Sequence, residues 1–310
     1  MGDETEAEII AGSRGEIPDK TFGDACLRYA EEVSPAKKGV KWEAARIGRL
    51  LGLPLSGTLR TPDPIVAVKL ADLDSSHVAL WRDRRLESVK GSTARRDWNL
   101  LSAICSAAIG EWKWLKHNPF SKAAGAKRPK NSKPRKDMIL AADLAALEAA
   151  AAALGTDPAR RMLRLVKFGV ETAMRSGEML LLGDTPSLVC TETRVAHIPD
   201  SKNDTARDVP LSAEAVRLWE EAGTDPGQSA NRWGFTDQSR DVEWRALRSL
   251  AAEQHPPVAR LHFHDTRHTA ITRLAKKLQI LDLARMTGHQ KLEELMTYYN
   301  ESAADIAKRL

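Results

Sequence analysis

Apolar residues recur every three to four positions between residues 21 and 120, which is the spacing of helices with one buried face. The pattern predicts helices that begin near Thr21 and Lys41, a third over residues 75–89 and a longer one over residues 92–115. These helices predict a small bundle over residues 20–120. Residues 1–19 are acidic and lack the periodicity, so they are expected to be a disordered leader.

The second half of the chain combines helical and β-like patterns. Alanine- and leucine-rich segments from residue 137 have high helix propensity. Three short stretches, at residues 187–190, 194–199 and 206–212, are typical of strands separated by turns. The fold class expected is therefore mainly α with a small antiparallel β-sheet (α+β), with a second domain over residues 137–310.

The two halves are joined by a basic segment, residues 121–136. It contains seven Lys or Arg and no acid, and Pro129 and Pro134 interrupt regular structure. Its composition predicts a flexible linker that lies along a polyanion. The alternative is a solvated spacer that makes no contact.

Charge is distributed unevenly along the chain. The formal net charge is +5, but residues 20–136 hold 24 basic against 11 acidic residues. Such a domain indicates a polyanionic partner, of which double-stranded DNA is one, although the charge could serve solubility alone. Tryptophans at helical spacing in this half are interpreted as core residues rather than a base-stacking surface. The residues expected to face DNA are Arg82, Arg84, Arg85, Lys90, Arg95, Arg96, Lys127, Arg128, Lys130 and Lys133.

Composition excludes several other classes of protein. No apolar run is long enough for a transmembrane helix, and the acidic N-terminus lacks the order of a secretory signal. The three cysteines are scattered without metal-ligand spacing, and no glycine-rich phosphate loop is present. We therefore expect a cytoplasmic protein without a metal or another cofactor and without membrane contact.

Residues 261–300 bring together side chains suited to phosphoryl transfer. His264 and Arg267 are three residues apart at the start of a predicted helix, so they share one face. His289 follows Gly288, a predicted helix end, and Tyr298 comes nine residues later. A hydroxyl nucleophile, a guanidinium and two imidazoles are thus expected in one region.

These residues resemble the boxes of the tyrosine recombinase (phage integrase) family. His264 and Arg267 match its H-x-x-R box, His289 its G-H box and Tyr298 its nucleophile. Arg175 lies in T-A-M-R-S-G-E-M-L, which matches the first arginine box, and Lys202 matches the lysine of its β-hairpin. The sequence departs from the family pattern at Ala173, where glycine is common, and at Thr266 and Thr287, where leucine is usual.

The resemblance implies a two-domain clamp with a helical core DNA-binding domain and a catalytic domain. It also implies a site-specific DNA recombinase that integrates, excises or resolves mobile DNA through a 3′-phosphotyrosyl intermediate, without a nucleotide cofactor. Partners expected are DNA, further copies of the chain in a tetrameric synapse, and accessory DNA-bending or directionality factors. In solution the chain is expected to be a monomer or weak oligomer. The tail, residues 301–310, is expected to be an amphipathic helix docked on a neighbouring copy or on its own domain.

The chemistry assigns a role to each side chain. Arg175 and Arg267 would clamp the phosphate, because a guanidinium binds two oxygens at once and stays charged. His289 would donate a further hydrogen bond to the phosphate. His264 would accept the proton of Tyr298, and Lys202 would protonate the leaving 5′ oxygen.

Alternative interpretations concern single residues and whole classes. Tyr299 competes with Tyr298, while Glu178 and His268 are interpreted as structural. His262, His264 and His268 could instead bind a metal in a hydrolase, although no glutamate lies between them. A type IB topoisomerase-like enzyme and a catalytically silent DNA-binding accessory protein also remain as alternatives.

Overall fold

The computed structural model of the protein describes residues 17–54, 60–133, 135, 137–199, 206–223, 231–296, 298–299 and 307. The chain divides into two compact units, residues 1–134 and 135–310. Most of the expected leader, Lys202 and nearly all of the tail lie outside the described residues. No helix in the described ranges is long and apolar enough to cross a membrane.

The described residues of the first unit form four α-helices. They are α1 (Phe22–Glu32), α2 (Val40–Leu50), α3 (Ser75–Ser88) and α4 (Gly91–Gly110). Thr21 and Asp24 form a capping box that fixes the start of α1, and Asp74 caps α3. The starts of α1 and α3 are therefore set by side chains next to them in the sequence.

Aromatic side chains fill the core of the first unit. Phe120 lies 5.2 Å from Trp98 and 5.8 Å from Trp81 between ring centroids, edge-on in both cases. Trp112 and Trp114 are also buried, and the guanidinium of Arg28 lies over both rings. These tryptophans are core residues, as the helical spacing indicated.

The basic segment after α4 packs on the first unit over its described part. The carbonyl of Lys127 accepts a hydrogen bond from Arg82 of α3, and that of Pro129 accepts one from Arg95 of α4. Ser132 bonds Ser92, and a Cβ on Gly91 would lie 2.3 Å from the Lys130 carbonyl oxygen. Residues 121–133 therefore differ from the flexible tether expected, because tertiary hydrogen bonds hold them along α3 and α4.

The second unit is helical with one small sheet. Its helices are α5 (Ala141–Leu154), α6 (Asp157–Thr172), α7 (Ser176–Asp184), α8 (Ala213–Ala222), α9 (Asp237–Gln254), α10 (Asp265–Ala275), α11 (Ile280–Thr287) and α12 (Leu292–Met296). The sheet contains β1 (Val189–Cys190), β2 (Val195–Ile198) and β3 (Arg207–Pro210), antiparallel and in that order. β2 and β3 form a hairpin in which Ile198 pairs with Arg207. Residues 200–205, including Lys202, connect these strands outside the described ranges.

Three helix ends in the second unit bring its polar residues together. α6 ends at Ala173 and α11 ends at Gly288, both in the left-handed region at φ 56° and 72°. α10 begins at His264, which stands at its N-cap. A small apolar cluster that includes Ala173, Ala270 and Leu283 packs beneath these ends and fixes their spacing.

Candidate active site

Arg267 is the buried centre of the site. Only 4% of the residue is exposed, and its guanidinium donates to the carbonyl oxygens of Ala173 and Thr287, both at 2.8 Å. Burial and the neighbouring Arg175 lower the pKa of Arg267 to about 10, so it is still a cation at neutral pH. Because a guanidinium has five N–H donors, these two bonds leave donors for an anion.

Arg175 is held by Glu178, one turn into α7. The Glu178 carboxylate accepts from the Arg175 backbone N–H at 2.8 Å and from its guanidinium at 2.9 Å. Burial works against the charge of Glu178, but hydrogen bonds from Arg207 and Arg175 outweigh it and lower the pKa of this carboxyl. Glu178 therefore orients Arg175 and the start of its helix, the structural role expected for it.

Arg207 is a site residue that the sequence analysis missed. It donates both terminal nitrogens to Glu178, at 3.0 and 2.7 Å, and its Nε to the carbonyl of Met286 at 2.9 Å. This buried side chain thereby connects the base of the β2–β3 hairpin with α7 and the end of α11. In the sequence, Arg207 stood out only by its place in the strand-like stretch 206–212, which carried no assigned role.

His289 is oriented by Thr287. The Thr287 hydroxyl donates to the Leu283 carbonyl at 2.6 Å, so it accepts from His289 Nδ1 at 2.6 Å. Burial, together with the charges of Arg267 and Arg175, lowers the pKa of His289 to about 4. The neutral ring therefore carries its proton on Nδ1 and presents Nε2 as an acceptor, so protonation is needed before Nε2 can donate to a phosphate.

Tyr298 and Tyr299 have different partners. The Tyr298 hydroxyl lies 2.5 Å from His268 Nδ1, whereas Tyr299 donates to the backbone carbonyl of Leu278 at 3.0 Å. Burial raises the pKa of Tyr298, and the charge of Arg267 acts against that rise. Of the two tyrosines, Tyr298 is therefore the one whose hydroxyl lies beside the polar cluster.

His264 lies next to the site, and no hydrogen bond joins its side chain to Tyr298 among the residues that the structure describes. Its ring, which is partly accessible to solvent, stands edge-on to His268, with 5.4 Å between ring centroids. Partial burial and the charges of His268 and Arg267 lower its pKa. The structure thus differs from the expected contact between His264 and Tyr298, because His268 lies at the hydroxyl instead.

Lys202 is outside the described residues, so its position relative to the other five predicted catalytic residues is not described. The base of its hairpin does reach the site, since Arg207 binds Glu178. No three His, Cys, Asp or Glu side chains within the described part of the chain are grouped to hold a metal ion.

The predicted DNA-facing residues separate into two groups. Arg84 pairs with Asp63 at 2.6 Å, Arg85 pairs with Asp97 at 2.8 Å, and Arg82 pairs with its neighbour Asp83. Arg95 is half-buried against the Pro129 carbonyl. The exposed cations are Lys90, Arg96, Lys127, Arg128, Lys130 and Lys133. They lie around the start of α4 and the segment packed beside it.

The amino-acid sequence matches that of known recombinases. Residues 139–305 match the model of the phage integrase family. A protein of Haemophilus influenzae that is assigned as an integrase/recombinase is 30% identical over 100% of this chain and 96% of its own length. The match extends through both units, so it is not confined to the second unit.

Solved structures share the fold. The Tn1549 transposon integrase in complex with a circular intermediate DNA has a TM-score of 0.70 and 17% identity, covering 94% of this chain and 98% of that one. A lambda integrase from a tetramer bound to a Holliday junction has a TM-score of 0.65 and 16% identity, covering 88% and 79%. The predicted fold class, mainly α with a small antiparallel sheet, is confirmed. The chain therefore belongs to the phage integrase family, the tyrosine-type site-specific recombinases.

Proposed function

We propose that Tyr298 is the nucleophile with which this site-specific recombinase cuts and rejoins DNA. Its hydroxyl lies beside His268, within the electrostatic influence of Arg267, while the hydroxyl of Tyr299 is taken up by a backbone carbonyl. Attack on a phosphodiester forms a 3′-phosphotyrosyl bond that keeps the energy of the broken bond, so the strand can be rejoined without a nucleotide cofactor.

Arg175 and Arg267 are proposed to bind the scissile phosphate. The observation that carries the proposal is that Arg267 binds backbone carbonyls next to both Arg175 and His289, which joins three sequence-distant boxes in one site. Two guanidiniums aimed at developing negative charge stabilise a phosphoryl-transfer transition state. Protonated His289 would add a hydrogen bond, its low pKa being raised by the phosphate charge.

Lys202 is proposed to protonate the 5′ oxygen that leaves when Tyr298 attacks. The support is its place in the sequence, four residues after Ile198 and five before Arg207, whose side chain binds Glu178 in the site. An ammonium on that hairpin can supply the proton that an alkoxide leaving group needs.

The six exposed cations around the start of α4 are proposed to contact the DNA backbone. They occupy one neighbourhood on α4 and the packed segment, and their charges are not neutralised as those of Arg84 and Arg85 are. Such a surface holds phosphates without reading bases. By analogy with the lambda integrase tetramer on a Holliday junction, four copies of this chain would assemble on two DNA sites in the cytoplasm.

A nicked DNA substrate that traps the covalent intermediate tests the assignment. Wild-type protein in EDTA should form an adduct that maps to Tyr298, and Tyr298→Phe should abolish the adduct while retaining DNA binding. Tyr299→Phe is the matched control and should still form the adduct. An adduct on Tyr299, or a strict need for a divalent ion, would refute the proposal.

A further inference from the structure

Thr287, the last residue of α11, contacts two polar residues of the site. Its side chain is fully buried, and its hydroxyl oxygen lies 2.6 Å from His289 Nδ1. Its backbone carbonyl accepts a hydrogen bond from Arg267 at 2.8 Å. Leucine, which is usual at this position in the family, has no polar side chain and could not bind the imidazole. The contact with His289 therefore depends on a departure of this chain from the family pattern.

The hydroxyl of Thr287 has a single proton, and the geometry fixes where that proton lies. The hydroxyl oxygen is also 2.6 Å from the carbonyl oxygen of Leu283. Two oxygens at that distance repel each other unless a hydrogen lies between them, so the hydroxyl donates to Leu283. Only a lone pair of the hydroxyl then faces His289 Nδ1, which must carry a proton to make the bond. The neutral ring is thereby held in the form that has its hydrogen on Nδ1 and a lone pair on Nε2.

The neutral ring in this form cannot donate to a phosphate through Nε2. It is neutral in the absence of DNA, because burial and the surrounding charges lower the pKa of His289 to about 4. The charges that act in this direction belong to Arg267, Arg175, Arg207 and His268, and Glu178 is bonded to Arg175 and Arg207. A bound phosphate acts in the opposite direction, because its negative charge favours the imidazolium. Once protonated on Nε2, the ring can keep its bond to Thr287 and donate to a phosphate oxygen.

We propose that Thr287 is a positioning residue that makes the binding of phosphate by His289 depend on the uptake of a proton. The inference rests on the proposed function, since the phosphate is the one that Tyr298 attacks. As the phosphate binds, Nε2 takes one proton from the solvent, and the bond from Nδ1 to the Thr287 hydroxyl is kept. The proton returns to the solvent when the DNA leaves. Without the hydroxyl, the neutral ring can carry its single proton on Nε2 and donate to the phosphate with no proton taken up.

The first measurement determines which ring nitrogen of His289 carries the proton in the full chain without DNA. Nitrogen-15 NMR of histidine-labelled protein at neutral pH distinguishes the two neutral forms, and His289→Asn identifies the signals of this ring. Wild type and Thr287→Ser, which keeps the hydroxyl, should have the hydrogen on Nδ1. Thr287→Val, which keeps the shape but not the hydroxyl, should shift it towards Nε2. A wild-type ring with its hydrogen on Nε2 would overturn the inference.

The second measurement is the number of protons taken up when a nicked DNA duplex binds. Calorimetry in buffers of different ionisation enthalpy counts them, and Tyr298→Phe in every protein prevents cleavage. The protein with Thr287, or with Thr287→Ser, should take up about one proton more per site than the protein with Thr287→Val. Equal uptake by all three would refute the proposal.

Thr266→Val is the matched control for Thr287→Val. Thr266 is also buried, and its hydroxyl donates to a backbone carbonyl, that of Phe263 at 2.8 Å, but it bonds no histidine in the part of the chain that the structure describes. This variant should change neither the NMR signals of His289 nor the proton uptake. If it changes them as much as Thr287→Val does, the effect comes from general loosening of the site and the inference is wrong.

Failure of the proposed function would be recognised separately. If wild type forms no adduct on Tyr298, the proposed function is wrong, whereas NMR without DNA still decides which nitrogen of His289 is protonated. Thermal unfolding verifies that each variant is folded. If Thr287→Val does not fold, the ring signals of wild type and of Thr287→Ser decide the inference, since a hydrogen on Nε2 in either protein would contradict it.

Discussion

Arg207 and Glu178 form a buried, two-pronged ion pair in which both terminal nitrogens of the guanidinium donate to the carboxylate, at 3.0 and 2.7 Å. The same carboxylate holds Arg175, so the orientation of the arginine that we propose binds phosphate depends on a second arginine, which is buried. The hairpin, α7 and the end of α11 are joined through this pair.

Arg207→Lys should therefore impair catalysis although Lys keeps the charge. It loses the planar fork that fits Glu178, and a displacement of about 1 Å in a site can lower the rate about 100-fold. We expect cleavage to fall by that order, with DNA binding little changed. Single-turnover cleavage and binding measure the effect, and Arg194→Lys, in the exposed turn before β2, is the matched control. Equal cleavage by both variants would show that Glu178 does not need Arg207.

Arg175→Lys tests whether Arg175 stabilises the transition state of cleavage or only helps to bind the DNA phosphate. The substitution retains a cation but cannot bind two oxygens in one plane, and removal of one donor to a developing oxyanion costs about 100-fold to 1,000-fold in rate. We expect a loss of that size in cleavage and less than a threefold change in binding at constant salt. A parallel loss of both would reduce Arg175 to an anchor.

Gly288→Ala should disturb the site through the backbone. Gly288 has φ 72°, and an added Cβ would lie 3.2 Å from three atoms of the Arg207 side chain. The left-handed conformation alone costs a non-glycine residue about 1–2 kcal/mol. We expect a lower Tm and loss of cleavage, because Arg207 and His289 would both shift.

Gly177→Ala provides the control for that substitution. Gly177 lies inside α7, and a Cβ there would meet nothing within 4 Å. Alanine is the better helix former by about 1 kcal/mol, so this variant should be at least as stable as wild type. If Gly288→Ala has the same Tm and cleavage rate as Gly177→Ala, the close contact between residue 288 and Arg207 does not matter for stability or catalysis.

The stability of the second unit should fall as the pH falls from about 6.5 towards 4. Burial and nearby arginines lower the pKa of His289 to about 4 in the folded protein, whereas in the unfolded chain it is close to 6.5. Between these values the unfolded state binds more protons, so acid favours unfolding. His264 and His268 are shifted in the same direction. Urea unfolding at several pH values measures the slope, which should be shallower in His289→Asn; an unchanged slope would contradict it.

The salt dependence of DNA binding should distinguish the exposed cations from the paired ones. If Arg96 and Lys130 each contact a phosphate, Arg96→Gln or Lys130→Gln should reduce the slope of log K against log salt by about 0.9. Arg85→Gln should leave the slope unchanged, because Asp97 already neutralises Arg85. It should instead lower the free energy of unfolding by about 1–3 kcal/mol, since buried Asp97 loses a partner. Equal slopes for all variants would place the DNA surface elsewhere.

Local patterns predicted much of this molecule because they are set by neighbouring residues. Thr21 and Asp24 indicate where a helix starts, and Gly288 indicates where one ends; each signal lies within a few residues of the helix end that it marks. The convergence of Arg175, Arg267 and His289 could be predicted from the resemblance to a family. It could not be derived from spacing, because the bonds of Arg267 reach residues 94 and 20 positions away.

The parts that were missed depend on such distant contacts. His268 was interpreted as structural because its neighbours in sequence give no sign that Tyr298, 30 residues away, lies against Nδ1. Arg207 binds Glu178 across 29 residues, and charge alone did not distinguish it from a surface arginine. The basic segment was expected to be flexible because its prolines and lysines have no helical or strand pattern, yet its carbonyls accept hydrogen bonds from α3 and α4.

The two carbonyl oxygens that hold Arg267 carry no formal charge, so the hydrogen bonds of this buried cation go to dipoles, and the charge of Glu178 acts on it without a direct hydrogen bond. Folding without DNA thus leaves the charges of Arg175, Arg207 and Arg267 close together in the second unit, and the phosphate that we propose they bind would relieve this repulsion. Because the phosphate binds the folded state, occupancy by DNA adds to the free energy of unfolding. The DNA backbone would then stabilise the folded protein by supplying the negative charge that the site lacks. Enzyme that is not bound to DNA should unfold, and be proteolysed, more readily than bound enzyme.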